Sequence, residues 1–174
     1  CVMKLLIRTD VSKDIGTGHL MRCMTLARKA HIRGFRSCFV LRDPEKTTVD
    51  FLNSYGIEVC ILRTRETHQK SKEKKLAHDD WLAVPQEIDA SDTLYFINDF
   101  KPDWLIVDHY ALDVTWHRIV KATCSTLLVI DDLGDRQVDC DVFLDQNLGA
   151  SKEKYIRIVS KNCKMLFGPH FALL

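Results

Sequence analysis

No apolar stretch in this chain approaches the roughly 18–20 residues needed to cross a bilayer, and its start lacks the apolar region of a secretory signal. A helical membrane anchor is therefore not expected. An excess of charge of one sign is missing too, because 25 basic residues against 24 acidic ones leave a formal net charge of +1. With no basic stripe interleaved with aromatics, neither nucleic acid nor an anionic membrane is expected as a partner. The one basic run, Lys70-Ser-Lys72-Glu-Lys74-Lys75, reads as a solvated loop. Metal-binding patterns are lacking as well. The seven cysteines, at 1, 23, 38, 60, 124, 140 and 163, are scattered without a C-x-x-C pair or a histidine cluster at zinc spacing. They read as reduced thiols in a cytoplasmic protein that uses no metal and no cofactor.

What is present is enough apolar material, 46% of 174 residues, for one good core. Residues 1–174 read as a single domain, with Met3-Lys4 as a natural start and Cys1-Val2 as an upstream remnant. Apolar runs recur at Leu5 to Ile7, Cys38 to Leu41, Val59 to Leu62, Trp104 to Val107, Leu127 to Ile130 and Val142 to Leu144. Helical segments are expected between them. Leu20, Cys23, Met24, Ala27 and Ala30 keep helical spacing before Gly34, and helices are also expected over 45–55, about 86–100 and 113–123. This βαβ rhythm predicts an α/β fold, an open and mostly parallel Rossmann-like sheet with helices on both faces. Residues 63–80 are polar and long for a connection, so a mobile loop or irregular excursion is expected there.

The residues that follow each strand carry the chemistry. Asp10, Asp43, Asp108-His109-Tyr110, Asp131-Asp132 and Asp145-Gln146-Asn147 all fall at the carboxyl ends of strands, the edge where open α/β sheets bind ligands. Any one of these carboxylates could simply cap the next helix. Three consecutive functional side chains at 108–110 are harder to explain as a cap. The corner Gly16-Thr17-Gly18-His19 joins the first strand to the first helix, where glycines let a ligand approach and free amides favour an anion. It is not a dinucleotide fingerprint, since Met21 stands where the third glycine belongs, nor a P-loop, since Gly18-His19-Leu20 replaces Gly-Lys-Ser/Thr. The corner instead delivers His19. A helix N-terminus disfavours the imidazolium, so a neutral ring able to act as a base is expected there. Arg22, one turn on, could contact phosphate or carboxylate, or serve as a surface ion pair.

Read together, Gly16-Thr-Gly-His19-Leu-Met-Arg22, Trp104-Leu-Ile-Val-Asp108-His-Tyr110, Val129-Ile-Asp-Asp132-Leu and Asp145-Gln-Asn147-Leu-Gly resemble a known family. It is the UDP-2,4-diacetamido-2,4,6-trideoxy-β-L-altropyranose hydrolase family of pseudaminic acid biosynthesis. The likeness extends to Trp81-Leu-Ala-Val-Pro-Gln86-Glu-Ile-Asp89-Ala and to Leu166-Phe-Gly-Pro-His-Phe-Ala-Leu-Leu174. The resemblance implies the N-terminal half of a GT-B-like two-domain protein, with His19 activating the water that attacks the anomeric carbon with inversion and without a metal. Tyr110 would fall beside the sugar, and Asp10, Gly16, Thr17, Gly18, Arg22, Asp108, His109, Asp131 and Asn147 would line the substrate. Family members continue into a second domain that supplies most contacts to UDP, so the 174 residues alone are expected to have little activity. Two other readings stay open, an acceptor-binding domain of a GT-B glycosyltransferase and a non-catalytic domain that binds a ligand or partner.

Overall fold

A computed structural model describes residues 2–66, 76–124 and 126–173. Continuous apolar runs need cover on both faces, and they form seven parallel strands in the order β3-β2-β1-β4-β5-β6-β7. The strands are β1 (Lys4–Thr9), β2 (Arg36–Arg42), β3 (Glu58–Leu62), β4 (Trp104–Asp108), β5 (Thr126–Ile130), β6 (Val142–Asp145) and β7 (Lys164–Phe167). The six expected strands all form. The seventh, at the sheet edge, was not foreseen.

The helices are α1 (Gly18–Ile32), α2 (Lys46–Ser54), α3 (Gln86–Phe100), α4 (Val114–Lys121) and the short α5 (Lys152–Tyr155). On one face, Leu20, Cys23, Met24 and Ala27 of α1 and Leu52 of α2 pack against Leu5, Ile7, Phe39 and Leu41. On the other, Ala90 and Ile97 of α3, Trp116 and Val120 of α4 and Tyr155 of α5 cover Leu6, Val40, Leu105 and Phe143. Asp113 starts α4 as an N-cap, its carboxylate accepting the Thr115 amide at 2.7 Å.

Strand order reverses at β1, because its helix α1 leads out to β2 on one side while β4 pairs on the other. The register sets Thr9 opposite Asp108, so the β1–α1 corner and the end of β4 open onto the same crevice. Of the connection expected to be irregular, residues 67–75 lie outside the described residues. Its last part forms a single 3-10 turn, Asp79–Trp81, anchored by the buried Leu82 and Val84. Among the described residues, no helix is long and apolar enough to cross a membrane.

Candidate functional site

Gly16 takes a left-handed backbone conformation with φ of 75°, which a side chain would strain, and so turns the chain from the β1 end into α1. Thr17 makes no side-chain capping bond to the helix. Gly18 has no heavy atom within 4 Å of where a Cβ would stand, so the space above the helix start is open. His19 follows, largely buried, with its ring aimed back at the end of β4.

There it meets Asp108, which is 0% exposed. His19 Nδ1 lies 2.6 Å from Asp108 Oδ1, while Arg22 donates from Nε to Oδ2 and from Nη2 to Oδ1, both at 2.5 Å. Burial would push this carboxyl up, but the hydrogen bonds from Arg22 and His19 outweigh it and hold Asp108 below the usual range. An ionised carboxylate can only accept, so Nδ1 is the donor in this bond, and in the uncharged form of the ring Nε2 keeps the lone pair. Nε2 makes no hydrogen bond among the described residues. This is the geometry of an oriented base, in which a carboxylate fixes the tautomer and stabilises the imidazolium that forms. Cys23, whose thiol reaches Asp108 at 3.6 Å, is pushed well up by burial and then by that charge, so it remains a thiol.

Tyr110 closes one side of the histidine, edge to face at 4.5 Å. Its hydroxyl donates to Asp132 Oδ1, and burial followed by that bond raises its pKa. Asp132 is a junction. Besides Tyr110, it accepts Asn147 Nδ2 at 3.1 Å, and Arg22 Nη1 lies 3.8 Å away. Trp81, from the 3-10 turn, stacks on Tyr110 at 5.4 Å and stands edge-on to His19 at 5.7 Å. His78 adds a fourth ring, 4.7 Å from Trp81 and 5.3 Å from Tyr110.

The structure thus brings together His19, Arg22, Asp108, Tyr110 and, through Asp132, Asn147, with Gly16, Thr17 and Gly18 at the rim. Three other residues expected against the ligand are buried within internal networks. Asp10 accepts Arg8 at 2.7 and 2.9 Å, the Arg42 amide at 2.7 Å and His109 Nε2 at 3.0 Å. His109 Nδ1 in turn accepts the Ala111 amide at 3.1 Å, so both ring nitrogens are used. Asp131 is fully buried beside Arg136 Nη1 at 2.7 Å and accepts the Gly134 amide at 3.0 Å. Asp10 and His109 are hydrogen-bonded within the protein and Asp131 is ion-paired with Arg136, which holds the strand-end loops in place, while Asp10 also reaches the lining of the cavity beside Trp81. Arg22 is also committed to a carboxylate rather than free for phosphate.

The sequence reading missed the partnership of His19 with Asp108, the cleft-facing member of the Asp131-Asp132 pair, and the rings of His78 and Trp81. Two aromatic rings within a charged stretch were the available signal for the last. Among the described residues, no three His, Cys, Asp or Glu side chains are grouped to hold a metal ion.

No family model matches the sequence. The chain is 24% identical over 172 residues, 99% of its length, to the UDP-2,4-diacetamido-2,4,6-trideoxy-β-L-altropyranose hydrolase of Campylobacter jejuni subsp. jejuni. It spans about half of that relative, 52% of its length. Among solved structures, MurG of Acinetobacter baumannii matches with a TM-score of 0.55 at 10% identity, covering 95% of this chain and 45% of that one. At such identity the likeness is one of fold. From end to end, then, the chain resembles the UDP-2,4-diacetamido-2,4,6-trideoxy-β-L-altropyranose hydrolase family, and it has the fold of one Rossmann-like half of a GT-B protein.

Proposed function

We propose that this chain is the catalytic-histidine half of a UDP-sugar hydrolase acting on a 2,4-diacetamido-2,4,6-trideoxy sugar, as the Campylobacter relative does. The observation that carries the reading is the buried His19–Asp108–Arg22 cluster, which leaves His19 Nε2 as a free base at the ligand edge of the sheet. Water held by Nε2 attacks the anomeric carbon from the face opposite UDP. As the new carbon–oxygen bond forms, the bond to the UDP oxygen breaks and the water proton passes to Nε2. UDP leaves with its electron pair, and the sugar is released with inverted configuration. Asp108 stabilises the imidazolium as it forms. Arg22 acts by holding Asp108 ionised.

A second domain, in the part of the relative that this chain does not span, supplies most contacts to the nucleotide in this reading. The 174 residues alone accordingly turn over little substrate. In the complete protein, His19→Ala lowers kcat by about 10²–10⁴ if the histidine is a general base. A loss below about tenfold in that assay sinks the role. An acceptor sugar hydroxyl needs the same base as water, so a glycosyltransferase would show itself by a glycoside product in place of free sugar.

A further inference from the structure

Aromatic rings surround His19. His19, His78, Trp81 and Tyr110 form a ring cluster with centroid separations of 4.5 to 5.7 Å. Of the polar groups nearest the base, Asp108 is filled by His19 and Arg22 and the Tyr110 hydroxyl is bound to Asp132, which leaves His78 Nδ1 as a buried polar atom of the cluster without a hydrogen bond among the described residues. Tyr110 is packed further by the Arg136 guanidinium, 5.5 Å from its ring centre. Trp81 is different. It is only half-buried, and beyond the cluster it lines an open cavity of about 220 Å³ in which Val11, Ile15 and Ala83 share the wall with polar groups, Ser12, Asp14 and Asp43 among them. Its position is nonetheless fixed, because the Trp81 amide donates to the His78 carbonyl at 3.0 Å and the next residues, Leu82 and Val84, are locked in the core.

We propose that Trp81 is a specificity-determining residue, the apolar wall that selects a deoxygenated, N-acetylated sugar over a fully hydroxylated one; this rests on the UDP-sugar reading above. A hydroxyl pressed against the face of the Trp81 ring loses its bonds to water and finds no partner on that face, whereas a methyl group loses nothing. The complementary polar contact is Asp132, whose side chain remains 24% exposed and can accept an amide N–H. A sugar carrying a methyl group and acetamido groups matches both, with its apolar edge on Trp81 and an amide donor toward Asp132. Because Trp81 enters from the β3–α3 connection rather than from a strand end, it tunes the choice of sugar separately from the His19–Asp108 chemistry.

The test compares the wild-type complete protein with Trp81→Ala and Trp81→Phe, on the UDP-linked 2,4-diacetamido-2,4,6-trideoxy sugar and on UDP-N-acetylglucosamine. Trp81→Ala should raise KM for the first donor by about tenfold with kcat nearly unchanged, reduce the preference between donors by a similar factor, and be largely rescued by Trp81→Phe. An equal loss on both donors, or an unchanged KM, overturns the proposal. Wild-type activity on the first donor reports separately on the hydrolase reading. A binding measurement does not depend on turnover. In the 174-residue chain, the free diacetamido sugar should quench tryptophan fluorescence and Trp81→Phe should abolish the change, while mannose should give none. Equal quenching by both sugars, or none by either, counts against Trp81.

Discussion

His117 lies in α4 with 0% exposure, and neither ring nitrogen has a hydrogen-bond partner. Burial, reinforced by the nearby positive charge of Arg136 and only partly opposed by Asp139, pushes its pKa down from 6.5 to about 3. The unfolded chain therefore binds a proton between these values that the folded chain excludes. Stability associated with His117 is complete above pH 6.5, falls as the pH drops below it, and reaches its full loss near pH 3. Linkage between the two pKa values gives a loss of about 2 kcal/mol between pH 7.5 and pH 5.0. Replacing His117 by Leu removes the titration while keeping an apolar side chain of similar size. Urea unfolding of both proteins at the two pH values isolates this contribution, because every other titrating group is common to both. Wild type should lose about 2 kcal/mol more than His117→Leu on acidification. If both lose the same amount within about 0.5 kcal/mol, His117 is not a buried neutral group and the reasoning fails.

Two further perturbations probe the site and its support. Asp108→Asn keeps the shape but no longer fixes the His19 tautomer, so the complete protein should lose about 10²–10⁴ in kcat with little change in KM. A steady-state assay, paired with a thermal melt to confirm folding, checks this. Asp89 is buried between Arg8 Nη2 at 2.7 Å and Arg42 Nε at 2.9 Å and also accepts the Trp116 indole at 2.9 Å. Despite its burial, the two guanidinium groups hold its carboxyl below the usual range, and Asp89→Ala removes the carboxylate they share, leaving Arg8 on Asp10 and Arg42 on Asp92, so it should cost about 3 kcal/mol in urea unfolding.

The sheet was readable because buried parallel strands are continuous apolar runs, as Leu5 to Ile7 and Trp104 to Val107 show. β7 escaped notice because Lys164-Met-Leu-Phe167 is four residues long, lies at an edge and is only half-covered. The glycine corner could be placed locally, and so could His19. Its partner could not, since 89 residues separate His19 from Asp108 and only the pairing of β1 with β4 brings them together. Adjacent strand-end residues also point in different directions, which is why Asp131 serves Arg136 inside while Asp132 faces Tyr110 and Asn147. Arg8, set within an apolar run, gave no sign that a charged network would absorb Asp10 and His109. Trp81 lay in a stretch too polar to show helical or strand periodicity, so its place over the base depended on tertiary packing alone.

The central claim is that His19 directs water to the anomeric carbon. Hydrolysis of the UDP-linked diacetamido sugar by the complete protein in heavy-oxygen water tests it most directly, with mass spectrometry of both products after a single turnover. The account predicts the label on the sugar and unlabelled UDP. Label in the terminal phosphate of UDP would mean attack at phosphorus and would contradict it.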